Sequence, residues 1–322
     1  MKRRSLSFLA TAAVAGALLI APAYAPAARV SATESGSVHL LARSGEANRV
    51  TLRVTRVDPD YALEIVDTGA PLIAGPGCSS VAADTAICPF PFSAEEFRAR
   101  LGDRPDSIDI FTFLFFSTFR VFGGTGADDI RNAHGGPAEV HGQRGNDVLF
   151  VSNNNSPGQI SGGPGDDDLS ASGFGSSGRP GRMDGGRGDD TLRLLAQFTV
   201  GDGGAGADDL ILDSGEATYE DRTRPVSVSL DGIPNDGERG EGDNVFVAPR
   251  EPDDFPAFPS VRGGHGPDRL SGSQHSDSLF GGPGDDFLDG MGAGDWLDCG
   301  AGTDVFVSDP ADFTVVDCEV VG

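Results

Sequence analysis

A nine-residue period constrains this chain more than any other feature. From Gly263 the sequence runs GGHGPDRLS, GSQHSDSLF, GGPGDDFLD, GMGAGDWLD and CGAGTDVFV without a break. Upstream, GGTGADDIR begins at Gly123, GQRGNDVLF at Gly142, GGPGDDDLS at Gly162, GGRGDDTLR at Gly185 and GGAGADDLI at Gly203. A short fixed period marks a repeat architecture, in which each unit buries its apolar residue only against neighbouring units.

Every unit carries an aspartate at its sixth position and an apolar residue at its eighth. The acids are Asp128, Asp147, Asp167, Asp190 and Asp208 in the first block, and Asp268, Asp277, Asp286, Asp295 and Asp304 in the second. The last three residues read as a short strand whose middle side chain points inward: Leu270, Leu279, Leu288, Leu297 and Phe306 in the second block. The first six residues turn the chain. Glycines at Gly123, Gly126, Gly162, Gly165, Gly185, Gly188, Gly203, Gly206, Gly263, Gly266, Gly281 and Gly284 permit the positive φ of a tight turn and let main-chain carbonyls converge. Carbonyls and a carboxylate make an all-oxygen cage for a hard cation. Calcium suits it, since magnesium demands tighter octahedral geometry and zinc favours His or Cys.

Charge supports a cationic ligand. The formal net charge is -25 and there are 47 glycines among 322 residues, so the chain repels itself when compact and nucleic acid is excluded as a partner. Its 38% hydrophobic and 7% aromatic content predicts a thin core.

These units resemble the RTX, or haemolysin-type, calcium-binding nonapeptide repeat. The resemblance implies an all-β fold, a parallel β-roll or β-solenoid with calcium-binding turns, in which successive turns lie on opposite edges. Each ion would then sit between turns two units apart, and each aspartate would bridge two ions. Unit starts in the first block are 19, 20, 23 and 18 residues apart, close to two units each. The intervening turns carry Ala138, Gly158 and Gly181 in place of the acid when Val140, Ile160 and Met183 are aligned as buried residues. The first block is therefore predicted to hold one row of ions along one edge. The second has Asp268, Asp286 and Asp304 on one edge and Asp277 and Asp295 on the other, so two rows are expected.

The remaining sequence divides into residues 1–28, a signal peptide; 29–122, a short β-rich N-terminal cap; 123–213, the first block; 214–262, an insert; and 263–322, the C-terminal block. Lys2, Arg3 and Arg4 precede an apolar run from Leu6 to Ile20 and the small-residue stretch APAYAPAAR, with cleavage expected after Ala27 or Ala28. That run is shorter than the roughly 20 residues of a spanning helix, so no membrane span is expected after cleavage. Export favours disulfides, and closeness in sequence favours Cys78 with Cys88 and Cys299 with Cys318 over the other connectivities.

In the N-terminal region SVHLLA, RVTLRVT and YALEIVD read as short strands, and LGDRPDSIDIF as a degenerate acidic turn leading into the repeats. FTFLFFSTFRVF, residues 111–122, reads as a buried edge or cap. Within 214–262, RPVSVSLDG reads as an amphipathic strand, and SVSLDGIPNDGERGEGDNV resembles an insert common in secreted bacterial proteins with RTX-like repeats. Asp236, Glu238, Glu241 and Asp243 offer further oxygen ligands. Their spacing misses the EF-hand loop, so a solvated surface loop is expected.

The sequence contains no H-E-x-x-H helix and no G-x-S-x-G elbow. His39, His134, His141, His265 and His275 are scattered and expected at the surface. RTX toxins, proteases and lipases carry a large catalytic or pore-forming region and a C-terminal secretion signal. This chain has an N-terminal signal and little non-repeat sequence, so no such activity is carried over. The expectation is an exported, non-catalytic calcium-binding scaffold that folds on the ion, with calcium and an extracellular or cell-surface ligand as its partners. An adhesin-like protein binding through 111–122 or 214–262, or a secreted hydrolase, are the alternatives.

Overall fold

The computed structural model describes residues 27–57, 60–90, 95–112, 118–134, 136–176, 178–249, 258–307 and 309–321. The expected signal segment lies outside them up to position 26. Ala28, a candidate cleavage position, is buried and pairs with Leu72 in the first strand, Ala28–Ala32.

Main-chain pairing turns the nonapeptide period into a coil. Arg269–Ser271, Phe287–Asp289 and Val305–Val307 pair in parallel with one another, and Ser278–Pro283 pairs in parallel with Trp296–Ala301. Alternate units thus fall on opposite sides, and two units complete a turn. The described chain is an all-β parallel solenoid of about 10 turns without a helix. One 14-stranded sheet runs along one side. The other side is divided between an 11-stranded sheet ending at Asn244–Val247 and a 6-stranded sheet that includes Val226–Ser229.

The segment expected to interrupt the coil instead supplies parts of it. Glu216–Thr218 pairs in parallel with strands on both sides, Asn244–Val247 closes the 11-stranded sheet, and Val226–Ser229 pairs with Arg269–Ser271. A three-residue strand of sequence EAT has no apolar periodicity to read, which is why the period seems lost there. The expected solvated loop is also corrected, because Asp236 and Asp243 are only 1% exposed.

The coil also begins before Gly123. Val38–Leu41 pairs in parallel with Glu96–Gly102, and Arg49–Val57 with Ser107–Thr112. Between these turns Asp60–Asp67 and Thr85–Phe90 fold out as antiparallel strands that build the cap. A disulfide joins Cys78 to Cys88 in that cap, and a second joins Cys299 to Cys318 at the other end. Of the 111–122 run, Phe119 and Val121 are buried and Phe111 is exposed, while 113–117 lie outside the described residues.

The core is a set of side-chain columns. In the first block each strand of the 11-stranded sheet turns two residues inward, such as Leu149 with Val151, Leu192 with Leu194 and Leu210 with Leu212. In the C-terminal block each strand turns in its eighth-position residue, as expected: Leu270, Leu279, Leu288, Leu297 or Phe306, with Cys299 buried beside Leu297 in its strand.

Candidate metal centre

Burial of the repeat strands carries the sixth-position aspartates in with them. All ten are at most 3% exposed. Their placement follows the predicted edges. In the first block the main-chain N–H of each aspartate donates to Oδ1 of the aspartate one turn on: Asp128 to Asp147 at 2.8 Å, Asp147 to Asp167 at 2.7 Å, Asp167 to Asp190 at 2.7 Å and Asp190 to Asp208 at 2.8 Å. In the C-terminal block Asp268 donates to Asp286 and Asp286 to Asp304, both at 2.8 Å, and Asp277 to Asp295 at 2.9 Å on the opposite edge.

The second carboxylate oxygen has no such donor. Oδ2 of Asp128, Asp147, Asp167, Asp190, Asp208, Asp286, Asp295 and Asp304 is buried without a hydrogen-bond partner. Those of Asp128, Asp167, Asp190 and Asp286 share the space beside a glycine with a carbonyl of the next turn. Beside Gly162, the Asp167 Oδ2 and the carbonyl of Gly185 on the next turn converge on the space a Cβ would fill, and at Gly281 the Asp286 Oδ2 and the carbonyl of Cys299 do the same. Two acceptors facing each other without a donor cost free energy unless a cation lies between them. No cluster of three or more His, Cys, Asp or Glu side chains able to hold a metal occurs among the described residues, so a cage here draws on main-chain carbonyls. Oxygen donors of this kind fit calcium.

The glycines divide their work by position. First-position Gly123, Gly162, Gly185, Gly203, Gly263 and Gly281 have no positive φ and are required for space beside their own aspartate. Fourth-position Gly126, Gly165, Gly188, Gly206 and Gly284 have φ between 122° and 157°. Gly266 is the exception, with ordinary φ and a need for space, since a Cβ would lie 2.6 Å from the Arg224 carbonyl carbon. Gln143, Met291 and Ala293 take positive φ without being glycine.

Stacked carboxylates in a dry edge resist ionisation. Burial first, and then the charges of Asp167 and Asp208, push Asp190 up to about 8. Burial, with Asp147 and Asp106 beside it, raises Asp128 to about 7. On the far edge of the C-terminal block burial, followed by Asp277, raises Asp295 to about 7, and on the near edge burial, with Asp268 and Asp304 beside it, raises Asp286 to about 6.

The ends of the rows were not legible in the repeats. Upstream, Asp106 accepts from Asn48 at 2.5 Å and donates to Asp128 at 2.9 Å, and its Oδ2 is also buried without a partner. Asn48 therefore stands where the row would have its next acid. Downstream, Asp208 donates to Asp243 at 3.1 Å, but the other oxygen of Asp243 accepts the hydroxyl of the buried Tyr219 at 2.9 Å. Tyr219 thus supplies by hydrogen bond what the earlier oxygens lack. Asp236 is likewise satisfied, by the N–H groups of Ser229 and Val245. At the C-terminal end, Asp312 accepts from Asp295 and Glu319 from Asp304. The signals were present in hindsight: Asp106 and Asp243 each precede a buried apolar residue, Ile108 and Val245, by two positions.

Residues 260–288 and 271–306 match the RTX calcium-binding nonapeptide repeat (4 copies). The C-terminal block is an RTX repeat array. RTX repeats bind calcium, so the chain is a calcium-binding RTX-repeat β-solenoid protein. No curated protein and no solved structure matches it. The first block lies outside the matched residues but repeats the RTX geometry along one edge. His39, His265 and His275 are exposed, and His141 is half-buried and stacked on Phe122 with ring centroids 5.1 Å apart.

Proposed function

We propose that the protein is exported and acts outside the cell as a non-catalytic scaffold whose turns are locked by calcium. The observation that carries this reading is the set of buried, donor-less carboxylate oxygens repeated along the edges. When bound, calcium would supply the positive charge shared by the facing oxygens of adjacent turns. In the C-terminal block the pairs are Asp268 with Asp286, Asp286 with Asp304, and Asp277 with Asp295; Asp286, Asp295 and Asp304 have an Oδ2 without a hydrogen-bond partner, and Asp268 and Asp277 do not. Asp268 and Asp277 begin their rows, and their oxygens accept from Gly264, Val226 and Ser273 instead. The first-block cages run from Asp106 to Asp208.

Export is supported by the N-terminal apolar segment and by two disulfides, which persist in oxidising compartments. RTX-repeat proteins are typically secreted. No helix long and apolar enough to cross a membrane occurs among the described residues.

Circular dichroism and calorimetry on the mature protein test the reading. Calcium added after chelation should raise the β signal with dissociation constants on the order of 10⁻⁴ to 10⁻³ M, as for extracellular calcium modules, and magnesium should substitute poorly. A β spectrum and melting temperature indifferent to both ions would refute the calcium lock. Hydrolysis of any substrate in a broad calcium-supplemented screen would refute the non-catalytic part, and retention in the cytoplasm would refute export.

A further inference from the structure

One flank of the long sheet departs from the regular coil. The departure shows in the sequence as the 23-residue step from Asp167 to Asp190, against 18 for the next step. The additional residues lie between the strands Asp168–Phe174 and Gly181–Arg187. Of these, Ser176, Gly178 and Pro180, with the turn at Phe198 and with Phe258, line a cleft of about 720 Å³, within the roughly 300–1,000 Å³ of small-ligand sites.

Two features mark the cleft as more than a gap between loops. Phe198 holds a φ of 67° although it is not glycine, and the residue lines the cleft and is 42% exposed. Its carbonyl accepts the N–H of Gly181 at 2.9 Å, which fixes that conformation. A left-handed bulky residue is costly, by about 1–3 kcal/mol, and such strain concentrates at ligand sites. Phe258, 55% exposed, is a second aromatic residue of the lining.

The polar lining is balanced and ordered. Arg262 holds Glu216 with two hydrogen bonds, at 2.9 and 3.2 Å, and its guanidinium stacks 4.4 Å from the Phe280 ring centroid. Arg182 and Glu220 also line the cleft and enter no ion pair among the described residues. Two arginines offset two glutamates in a chain of net charge -25. An anionic ligand would be repelled by the whole molecule, and a cationic one has far more acidic surface elsewhere. Aromatic faces beside planar groups able to bond adjacent hydroxyls suit a ring with an apolar face and a hydroxyl-rich rim.

We propose that this cleft binds a neutral saccharide, stacked against Phe198 and Phe258 and hydrogen-bonded by Arg182 and Glu220. The site goes beyond the calcium lock and needs only that the coil be folded.

The test uses the mature protein in calcium, with folding checked by circular dichroism in the same buffer. Binding is measured against an array of neutral glycans, with hyaluronan as an anionic control. Phe198→Gly removes the ring and suits the left-handed backbone, so it should keep or raise the melting temperature while weakening binding about tenfold, the scale of one lost aromatic contact. Arg182→Ala should weaken binding without loss of fold. Binding of a neutral glycan that both substitutions diminish supports the proposal. No neutral glycan bound, equal or tighter binding of hyaluronan, or unchanged binding by Phe198→Gly would each overturn it.

Discussion

The same structural column has opposite chemistry at the two ends of this molecule. Along the edge next to the long sheet it runs Phe97, Phe119, Ala138, Gly158, Gly181 and Thr199 in successive turns, and then reaches Asp277 and Asp295 in the C-terminal block. Near the cap this column is a phenyl stack, with ring centroids of Phe97 and Phe119 4.7 Å apart. In the C-terminal block it is a row of carboxylates. The first block therefore has one edge that packs without ions, and two inward residues per strand of the 11-stranded sheet. The C-terminal block has one inward residue per strand, save that Trp296–Ala301 also buries the disulfide-bonded Cys299, and acids on both edges. Each fully buried Leu contributes roughly 1.5–3 kcal/mol, so the first block has apolar stabilisation that the C-terminal block must replace with bound cations. Dependence on calcium should be graded along the coil.

The largest expected effect comes from removing one shared carboxylate in each block. Asp286 links to an acid on both sides, Asp268 and Asp304, whereas Asp268 and Asp277 each link to one, Asp286 and Asp295. At calcium tenfold above the dissociation constant a lost site removes about 1.4 kcal/mol. Asp286→Asn should therefore destabilise the C-terminal block by about 3 kcal/mol and lower stoichiometry by two ions, and Asp277→Asn by about half as much. Asp167→Asn also touches two pairs. It should lower stoichiometry equally but leave the turns around Leu169 and Leu192 folded. Equal stoichiometric losses from Asp286→Asn and Asp277→Asn in calorimetry would mean that each turn binds its ion alone.

Protons offer a second handle on the contrast. The row aspartates have folded pKa values raised above 3.8, chiefly by burial. The folded chain thus binds more protons than the unfolded one, and chelated stability should fall as pH rises through the folded values and recover as pH drops toward 4. In chelator the melting temperature should be higher at pH 5 than at pH 8, with the steepest fall between about 4 and 6 and a levelling-off by about 8, as Asp286, then Asp128 and Asp295, and last Asp190 lose their protons in the folded chain. In calcium the order should reverse, because protons compete with the ion. A chelated melting temperature that rises with pH would contradict this electrostatic picture.

Smaller effects probe the two cores. Asn132 points into the first-block interior, fully buried, and neither its Oδ1 nor its Nδ2 has a partner. Asn132→Leu should stabilise the first block by about 1 kcal/mol even in chelator, by removing unsatisfied polar groups. Met291→Gly and Gln143→Gly relieve positive φ values of 76° and 80° and should each add up to about 1 kcal/mol. Thermal melts distinguish the outcomes; a loss of stability from either glycine would show that its side chain contributes more than its backbone costs.

The repeat spacing specified the eighth-position core residues, because burial recurs at a fixed position, while the parallel coil, and with it the assignment of ten aspartates to edges, came from the resemblance of the units to the RTX nonapeptide. The row ends were hidden for physical reasons. Leu101 and Glu238 stand where nine of the ten recognised turns begin with Gly, so the turns containing Asp106 and Asp243 lack that marker. The cap was hidden because its strands Asp60–Asp67 and Thr85–Phe90 pair antiparallel, outside any repeat. The role of Tyr219 rests on a contact 24 residues distant in sequence, which no local pattern encodes.

Hydrogen exchange on the mature protein, with peptides resolved along the chain at decreasing free calcium, tests the graded coil most directly. Amides in 263–307 should lose protection first and most completely, while those in 96–112 and 118–134 keep theirs in chelator. Simultaneous loss along the whole coil, or earlier loss at the N-terminal turns, would contradict the claim that apolar packing does in the first block what calcium does in the last.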